Sequence, residues 1–377
     1  MKYTGICWIG PVYDMGGYGN VSRNYLRAIE TLGLPVYIHP VGGFHHRQIG
    51  RETVRWLEKL STPHIGNRIC VIRHGTPEMF EQIPVPFATR NIGVTIFETD
   101  RIPAKWVELC NRMDEVWVPS AFNYATFAGS GVERSKLRIV PYAIDTETYY
   151  PGRPVVKSAL PHVPEDRFLF LYTFGFDYRK GFDLLIRSFC SEFAPHEKAA
   201  LVLKVYIHSG ERPEAVKAEL ESHIPSGPGR RRQIYVLIDR YTPQQLIQLY
   251  QRCDVYVTLD RGNGWGMPTM ENMALGKAAI SIGWGGCTEY MNENNSFLIE
   301  PEPNLVPVDR KLQDARPHLY RNHRWAEVKQ HSVQRVLRYV FENKAHLHAV
   351  GRKAALDMHL RFSPGAIGAA VGKCLGL

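Results

Sequence analysis

Cysteine is scarce and carries no pairing pattern. Seven residues (Cys7, Cys70, Cys110, Cys190, Cys253, Cys287, Cys374) are scattered over 377 positions, with no Cys-x-x-Cys among them. That argues against a disulfide scaffold and a cysteine zinc site, and fits a reducing compartment. No apolar stretch approaches the ~20 residues needed to span a bilayer. Met1-Lys2-Tyr3-Thr4-Gly5 runs straight into a strand pattern rather than a leader, so a cytoplasmic protein is expected. The sequence also lacks His-Glu-x-x-His, a Walker loop and Gly-x-Ser-x-Gly. His39, His45 and His46 are neighbours without a recognised metal spacing. No basic stripe interleaved with aromatics and no zinc-finger spacing is present, so no nucleic-acid partner is expected. The run Arg230-Arg231-Arg232 sits in a Pro/Gly loop and reads as a solvated tip.

What remains is an ordinary globular mixture, 44% hydrophobic and 22% charged, long enough for two or three domains of ~150 residues. The formal net charge of +9 suggests an anionic partner without choosing among phosphates, acidic surfaces and nucleic acid. Short apolar β-rich runs alternate with helical-period segments throughout. In the first half the candidate strands are 5–9, 36–39, 69–73, 93–97, 116–118 and 137–140. In the second they are 168–173, 201–207, 235–238, 255–259, 279–282 and 297–299. Helical patterns such as 22–32 and 244–252 lie between them, the signature of parallel sheets covered by helices.

Two βα series of similar size thus stand in tandem, as domains 1–150 and 165–345. Pro151, Pro154, Pro161 and Pro164 crowd the seam, which should fall within 142–164. A helical tail, 346–377, is expected to pack back toward the first domain, with a break near Ser363-Pro364-Gly365. Two such sheets place a cleft between the carboxyl ends of their strands, the default ligand site.

The most informative stretch runs from Asp260 through Gly262, Asn263, Gly264, Trp265, Gly266 and Met267 to Glu271. It follows the strand 255–259 and opens a helix at 269–275, with Glu271 on the first turn. Glycines let backbone N–H groups approach an anion, and a helix N-terminus favours negative charge. A Gly-rich turn with a dipole-complementing Glu would explain the glycines alone equally well. Downstream come Ala274-Leu275-Gly276-Lys277-Ala278, a strand, and Gly285-Gly286-Cys287-Thr288-Glu289.

With those residues in order, the chain resembles the retaining GT-B glycosyltransferases of family 4, the mannosyltransferase-like glycosyl transferases group 1. Gly16-Gly17-Tyr18-Gly19 is similar to the family's first glycine-rich loop, and Glu115-Val116-Trp117-Val118-Pro119-Ser120 to its Pro-Ser exit strand. The segment 140–145 resembles the inter-domain hinge, and 174–181 the phosphate loop of the second domain. The resemblance implies an α/β GT-B fold of two Rossmann-like, doubly wound parallel-sheet domains around a central cleft. The N-terminal one would bind the acceptor and the C-terminal one the nucleotide sugar.

The implied activity is a hexosyltransferase that retains anomeric configuration and needs neither metal nor cofactor. A hexose would pass from a GDP-mannose or UDP-hexose type donor to a saccharide or lipid-linked acceptor in polysaccharide, glycolipid or glycoconjugate synthesis. Lys180, helped by Arg179, would neutralise the departing diphosphate. Glu271 would hold the ribose hydroxyls, and the Gly264, Trp265, Gly266 and Met267 backbone would meet sugar and phosphates. Gly17 and Asn263 complete the donor contacts, and Tyr241 would stack on the base. Glu98, as a catalytic residue, and His74 would position donor sugar or acceptor from the ends of their strands.

Two positions depart from the family pattern. Asn263 stands where the first acidic residue of the Glu-x7-Glu pair is usual, and Gly175 where an Arg is usual. They motivate a second reading, a catalytically weakened nucleotide- or glycan-binding subunit of a glycan-assembly complex. A phosphorylase or sugar-nucleotide epimerase is a third. The absence of a strict Asp-x-Asp, the nearest being Asp145-x-Glu147, argues against the metal-dependent GT-A fold. Arg47, Arg51, Arg55 and Lys59 recur at four-residue spacing beside Ile49, Val54, Trp56 and Leu57. An ordinary surface helix explains them most simply; peripheral membrane contact toward a lipid-linked acceptor is the alternative.

Overall fold

The computed structural model describes residues 2–43, 45, 49–61, 66–80, 83–154, 160, 162–207, 210–226 and 233–377. Arg230, Arg231, Arg232, His46, Arg47 and Pro161 therefore lie outside the described residues. The chain divides into two compact units. One comprises Met1–Thr148 with His359–Leu377, and the other Tyr149–Met358.

The first unit holds a parallel sheet of β1 (Gly5–Gly10), β2 (Val36–Pro40), β3 (Ile69–His74), β4 (Ala88–Val94), β5 (Glu115–Val118) and β6 (Leu137–Ile139). Their order is β2-β1-β3-β4-β5-β6. Every residue of β1 and β3 is buried, as strands covered on both faces require. The helices are α1 (Gly17–Glu30), α2 (Arg51–Leu60), α3 (Ala104–Asn111) and α4 (Ala121–Ser130). Ser120, at the end of the Pro-Ser motif, caps α4 by accepting from Asn123 N–H at 3.1 Å.

The fourth strand differs from the 93–97 expected. It starts at Ala88 and stops at Val94, because the short β5 runs out of partners at Val94–Trp117 and Thr95 N–H makes the last ladder bond. In α2 the single buried residue is Leu57. Trp56 is already taken on α1, where its Nε1 donates to Glu30 at 2.9 Å and its ring lies under the Arg27 guanidinium.

The second unit repeats the plan with β7 (Phe168–Gly175), β8 (Ala199–Tyr206), β9 (Ile234–Leu237), β10 (Val255–Val257), β11 (Ala278–Ile282) and β12 (Phe297–Ile299). The order is β12-β11-β10-β7-β8-β9, all parallel. A two-stranded antiparallel piece pairs β13 (Val306–Pro307) with β14 (Arg324–Trp325). Helices α5 (Phe182–Glu192), α6 (Pro213–Ser222), α7 (Pro243–Arg252) and α8 (Met267–Ala274) follow their strands. Short helices α9 (Arg310–Ala315) and α10 (Pro317–Tyr320) precede α11 (Gln330–Glu342), α12 (Lys344–Arg361) and α13 (Pro364–Leu375).

Thr242 and Gln245 close a full capping box on α7, and Ser363 caps α13. The expected break at Ser363-Pro364 is thus the start of a helix. On α11, Arg338 bonds Glu192 and Glu197 at 2.7 Å each while lying over the Phe193 ring, which fixes α11 against α5.

Strand order reverses once in each sheet. In the first unit the chain builds outward from β1 to β2, then returns to β3 on the other side; in the second it does so between β7 and β10. In doubly wound sheets such a reversal, outside the carboxyl ends of the strands, is where ligands are held.

Candidate functional site

In the second unit the reversal point gathers the loop after β7 and the loop after β10. Gly175–Gly181 leaves β7, and Phe176 N–H bonds Tyr206 O at 2.9 Å at the end of β8. Asp177 caps the tight turn that follows by accepting from Arg179 N–H at 2.8 Å. Gly181 ends the turn at φ +60, and a Cβ there would stand 2.1 Å from Leu259 O. Only glycine allows both that conformation and that approach.

The two loops are then riveted together. Arg261 N–H donates to Arg179 O at 2.8 Å, and the Arg179 guanidinium donates to Gly262 O at 2.7 Å. Lys180 Nζ bonds Asp260 Oδ2 at 2.8 Å. Behind them the buried Arg261 is held by Asp183 at 2.8 Å and Glu327 at 2.7 Å, which keeps its guanidinium charged despite burial. Lys180 and Arg179, named from sequence, are therefore parts of one block with the glycine-rich loop.

That loop ends in the N-terminus of α8. Gly266 is its N-cap, with no side-chain cap and no acidic residue in the first turn. The first-turn N–H groups are thus not neutralised by a carboxylate of their own helix. Gly286 N–H donates to Asn263 O at 2.7 Å, and a Cβ on Gly286 would meet Gly264 O at 1.6 Å. The second glycine loop therefore buttresses the first. Trp265 is buried against Tyr290, with ring centroids 5.0 Å apart, so it offers the site backbone and not its ring.

Glu271 differs from expectation in one respect. The helix starts at Met267, two residues earlier than expected, so Glu271 stands on its second turn rather than its first. The shift aims it at α7, where the buried Tyr250 hydroxyl donates to Oε2 at 3.1 Å. Asn263 is 4% exposed, and its Nδ2 has no hydrogen-bond partner among the described residues. A buried amide donor left bare costs stability unless a ligand oxygen uses it.

Tyr241 lies beside α7, and its ring centroid is 5.0 Å from the Lys204 ammonium, which also lies 4.1 Å from the Tyr206 ring. Lys204 is fully buried inside β8, and burial pulls its pKa down to about 8.

In the first unit His74 ends β3 at 1% exposure, ringed by Trp8, Tyr18, Tyr25 and Tyr142. Burial lowers its pKa to about 3, so the ring is neutral. Trp8 Nε1 donates to Ser22 Oγ at 3.3 Å, and the same oxygen shares a hydrogen bond of 2.8 Å with His74 Nδ1. The other ring nitrogen, Nε2, has no hydrogen-bond partner among the described residues. Gly17 begins α1, whose next residue, Tyr18, stacks near that ring at 5.3 Å. Glu98 is half-buried, four residues beyond the end of β4 and not on its last position.

Several residues of the site were not singled out from sequence. Asp260 and Arg261 stand inside that stretch, but the sequence gives neither a role of its own. Tyr172, Asp183 and Tyr250 are ordinary in composition, and only their partners give them meaning. Lys204 alone left a legible signal, a lysine within the apolar run Leu201-Val202-Leu203-Lys204-Val205.

Comparisons with known proteins bear on both units. Residues 152–306 match the family model Glycosyl transferases group 1. No curated protein matches the chain in sequence. Among solved structures, a glycosyltransferase from Rickettsia africae superposes with a TM-score of 0.70 at 14% identity, covering 99% of this chain and 98% of that one. Anabaena Alr3699/HepE in complex with UDP and glucose gives 0.67 at 14% identity, covering 99% and 100%. An α,α-trehalose-phosphate synthase (UDP-forming) from Burkholderia xenovorans, in complex with glucose-6-phosphate, gives 0.65 at 11% identity and 99% of both chains. At such identities the likeness establishes the fold: two parallel six-stranded α/β units of the GT-B type.

Proposed function

We propose that this protein is a glycosyltransferase that moves a hexose from a nucleoside diphosphate donor to an acceptor hydroxyl with retention of configuration. The observation that carries the reading is the block at the β7/β10 reversal. Two cations, Lys180 and Arg179, sit in one rigid unit with a helix N-terminus free of acidic residues, and the buried carboxylate Glu271 stands one turn further along α8. Cations and the positive end of a helix suit a diphosphate, and a carboxylate suits ribose hydroxyls. The match of 152–306 to group 1 glycosyl transferases and the UDP bound by the HepE structure support the same choice, with UDP-hexose as the donor.

In the proposed reaction the bond between the anomeric carbon and the phosphate oxygen breaks, and its electron pair stays on the diphosphate. The acceptor oxygen bonds the same carbon on the same face and passes its proton to the leaving phosphate. Lys180 and Arg179 act where negative charge grows, which is where a fixed cation lowers the barrier. The bare Nδ2 of Asn263 would donate to a sugar oxygen. In the first unit His74 Nε2 and Glu98 would orient acceptor or sugar hydroxyls. The donor carries its own leaving group, so this reading calls for no cofactor. The acceptor would be a saccharide or a lipid-linked sugar; membrane contact remains part of that proposal.

The test is a thermal-shift screen against UDP, GDP and ADP and their sugar conjugates, with and without chelator, followed by UDP release from UDP-glucose. Stabilisation by UDP and its sugars together with slow UDP release is the expected outcome. Stabilisation without turnover would favour the binding-subunit reading, for which the neutral Asn263 is the motive. No shift with any nucleotide would overturn the assignment of the site.

A further inference from the structure

Lys180 is not a free cation waiting for a phosphate. Its ammonium is paired at 2.8 Å with Asp260, a carboxylate only 4% exposed. Asp260 is itself fixed: Thr258 Oγ donates to Oδ1 at 2.7 Å, and the Tyr172 hydroxyl bonds the same oxygen. Tyr172 also reaches Lys180 O at 2.7 Å, so one buried phenol ties the lysine backbone to the carboxylate that holds its side chain. Tyr172 stands within β7, and Thr258 and Asp260 directly follow β10. The pair therefore joins the turn after β7 to the loop after β10, with Tyr172 of β7 holding both.

On the proposed reading of this site, we infer that Asp260 is a positioning residue that presents the Lys180 ammonium to the donor diphosphate and tempers its ground-state attraction. A flexible lysine stem would otherwise sample many rotamers, and the carboxylate selects one. The carboxylate also offsets part of the ammonium's charge, which weakens nucleotide binding, while the orientation it imposes aims the ammonium's remaining N–H donors at the charge that grows on the leaving group.

A buried carboxylate with a purely structural role would give a different signature. Removing it would loosen the block and weaken nucleotide binding and turnover together. Removing a tempering carboxylate does the opposite to binding, because a repulsive charge beside the diphosphate disappears.

The experiment measures UDP affinity by calorimetry and acceptor-free UDP release from UDP-glucose, for the wild type, Asp260→Asn and Asp260→Glu. Asp260→Asn should bind UDP roughly tenfold more tightly. It should also release UDP from UDP-glucose about tenfold more slowly. Asp260→Glu, which restores the charge one methylene further out, should return affinity toward the wild type and recover part of the rate. Equal or weaker UDP binding by Asp260→Asn, or a loss of both properties, would overturn the inference. Should Asp260→Asn fail to fold, Asp260→Ser is also neutral and smaller, and the same opposite movement of affinity and rate is required of it. A wild type that binds no UDP would instead remove the reading of the site on which the inference rests.

Discussion

At the scale of single residues, Glu271 is the clearest case of a motif position whose environment decides its role. It is 4% exposed and receives a hydrogen bond from the fully buried Tyr250, which fixes the carboxylate on the α7 side of α8. Replacement by Gln keeps the shape and removes the charge. If the carboxylate binds ribose hydroxyls, Glu271→Gln should weaken UDP binding by roughly tenfold, since hydrogen bonds to a charged group contribute ~1.5–3 kcal/mol. Calorimetry with UDP and with inorganic pyrophosphate separates the ribose from the phosphates: pyrophosphate affinity should be unchanged. Equal UDP affinity would remove Glu271 from the site. The motif marked this residue without the structure. Its second-turn position and its tyrosine partner could not be read, because they depend on where the helix begins and on a strand-distant α7.

At the scale of elements, β8 carries a liability that the fold has accommodated. Lys204 is buried in the strand, with two aromatic faces and the Val205 carbonyl as its immediate partners and Asp239 nearby. Its folded pKa of about 8 lies below the ordinary lysine value of 10.5. The unfolded chain therefore binds more protons between those values, and this group's contribution to stability rises with pH there and is least favourable below about 8. Urea unfolding at pH 7 and pH 9 should show Lys204→Met gaining stability over the wild type at pH 7, and a smaller gain at pH 9. The difference between the two gains is at most on the order of 3 kcal/mol, and comparison of the two proteins cancels the cysteines and tyrosines that also titrate. A gain of equal size at both pH values would mean that the amine titrates normally. Tyr241, the residue expected to stack on the base, meets the same lysine, with its ring centroid 5.0 Å from the ammonium.

At the scale of the whole molecule, the end of the chain completes its beginning. The stretch expected as one tail, 346–377, is divided: Tyr149–Met358 is one unit, and His359–Leu377 belongs with Met1–Thr148. Helix α13 packs on α1 through Gly368, where a Cβ would stand 2.0 Å from Thr31 Oγ1 and 2.5 Å from Ala28 O. Lys2 Nζ bonds Leu375 O at 3.0 Å from the opposite terminus. Gly368→Leu should thus lower the stability of the first unit by roughly 1–3 kcal/mol, as overpacking does. UDP affinity, which is assigned to the second unit, should stay within a factor of two or so of the wild type by the usual additivity of distant sites. Unfolding followed by tryptophan emission and calorimetry on the same protein would check both; a large loss of UDP binding would contradict that assignment.

The sequence by itself determined the class and the repeat. Apolar runs bounded by turn residues, such as those of β1 and β7, read as strands buried on both faces, and every expected strand except the fourth lies within two residues of the observed one. It also marked the loops to which the chemistry is assigned in the proposal, because Gly-rich turns before helices are local in chain and local in space. Lys180, Arg179 and the stretch from Asn263 to Glu271 were legible for that reason. Tertiary structure alone decided the partners. Asp260 against Lys180, Asp183 against Arg261 and Tyr250 against Glu271 join residues 80, 78 and 21 positions apart. No local pattern records such pairings: the first two arise only because the strand order reverses between β7 and β10 and brings two distant loops side by side, and the third only because α7 and α8 pack together.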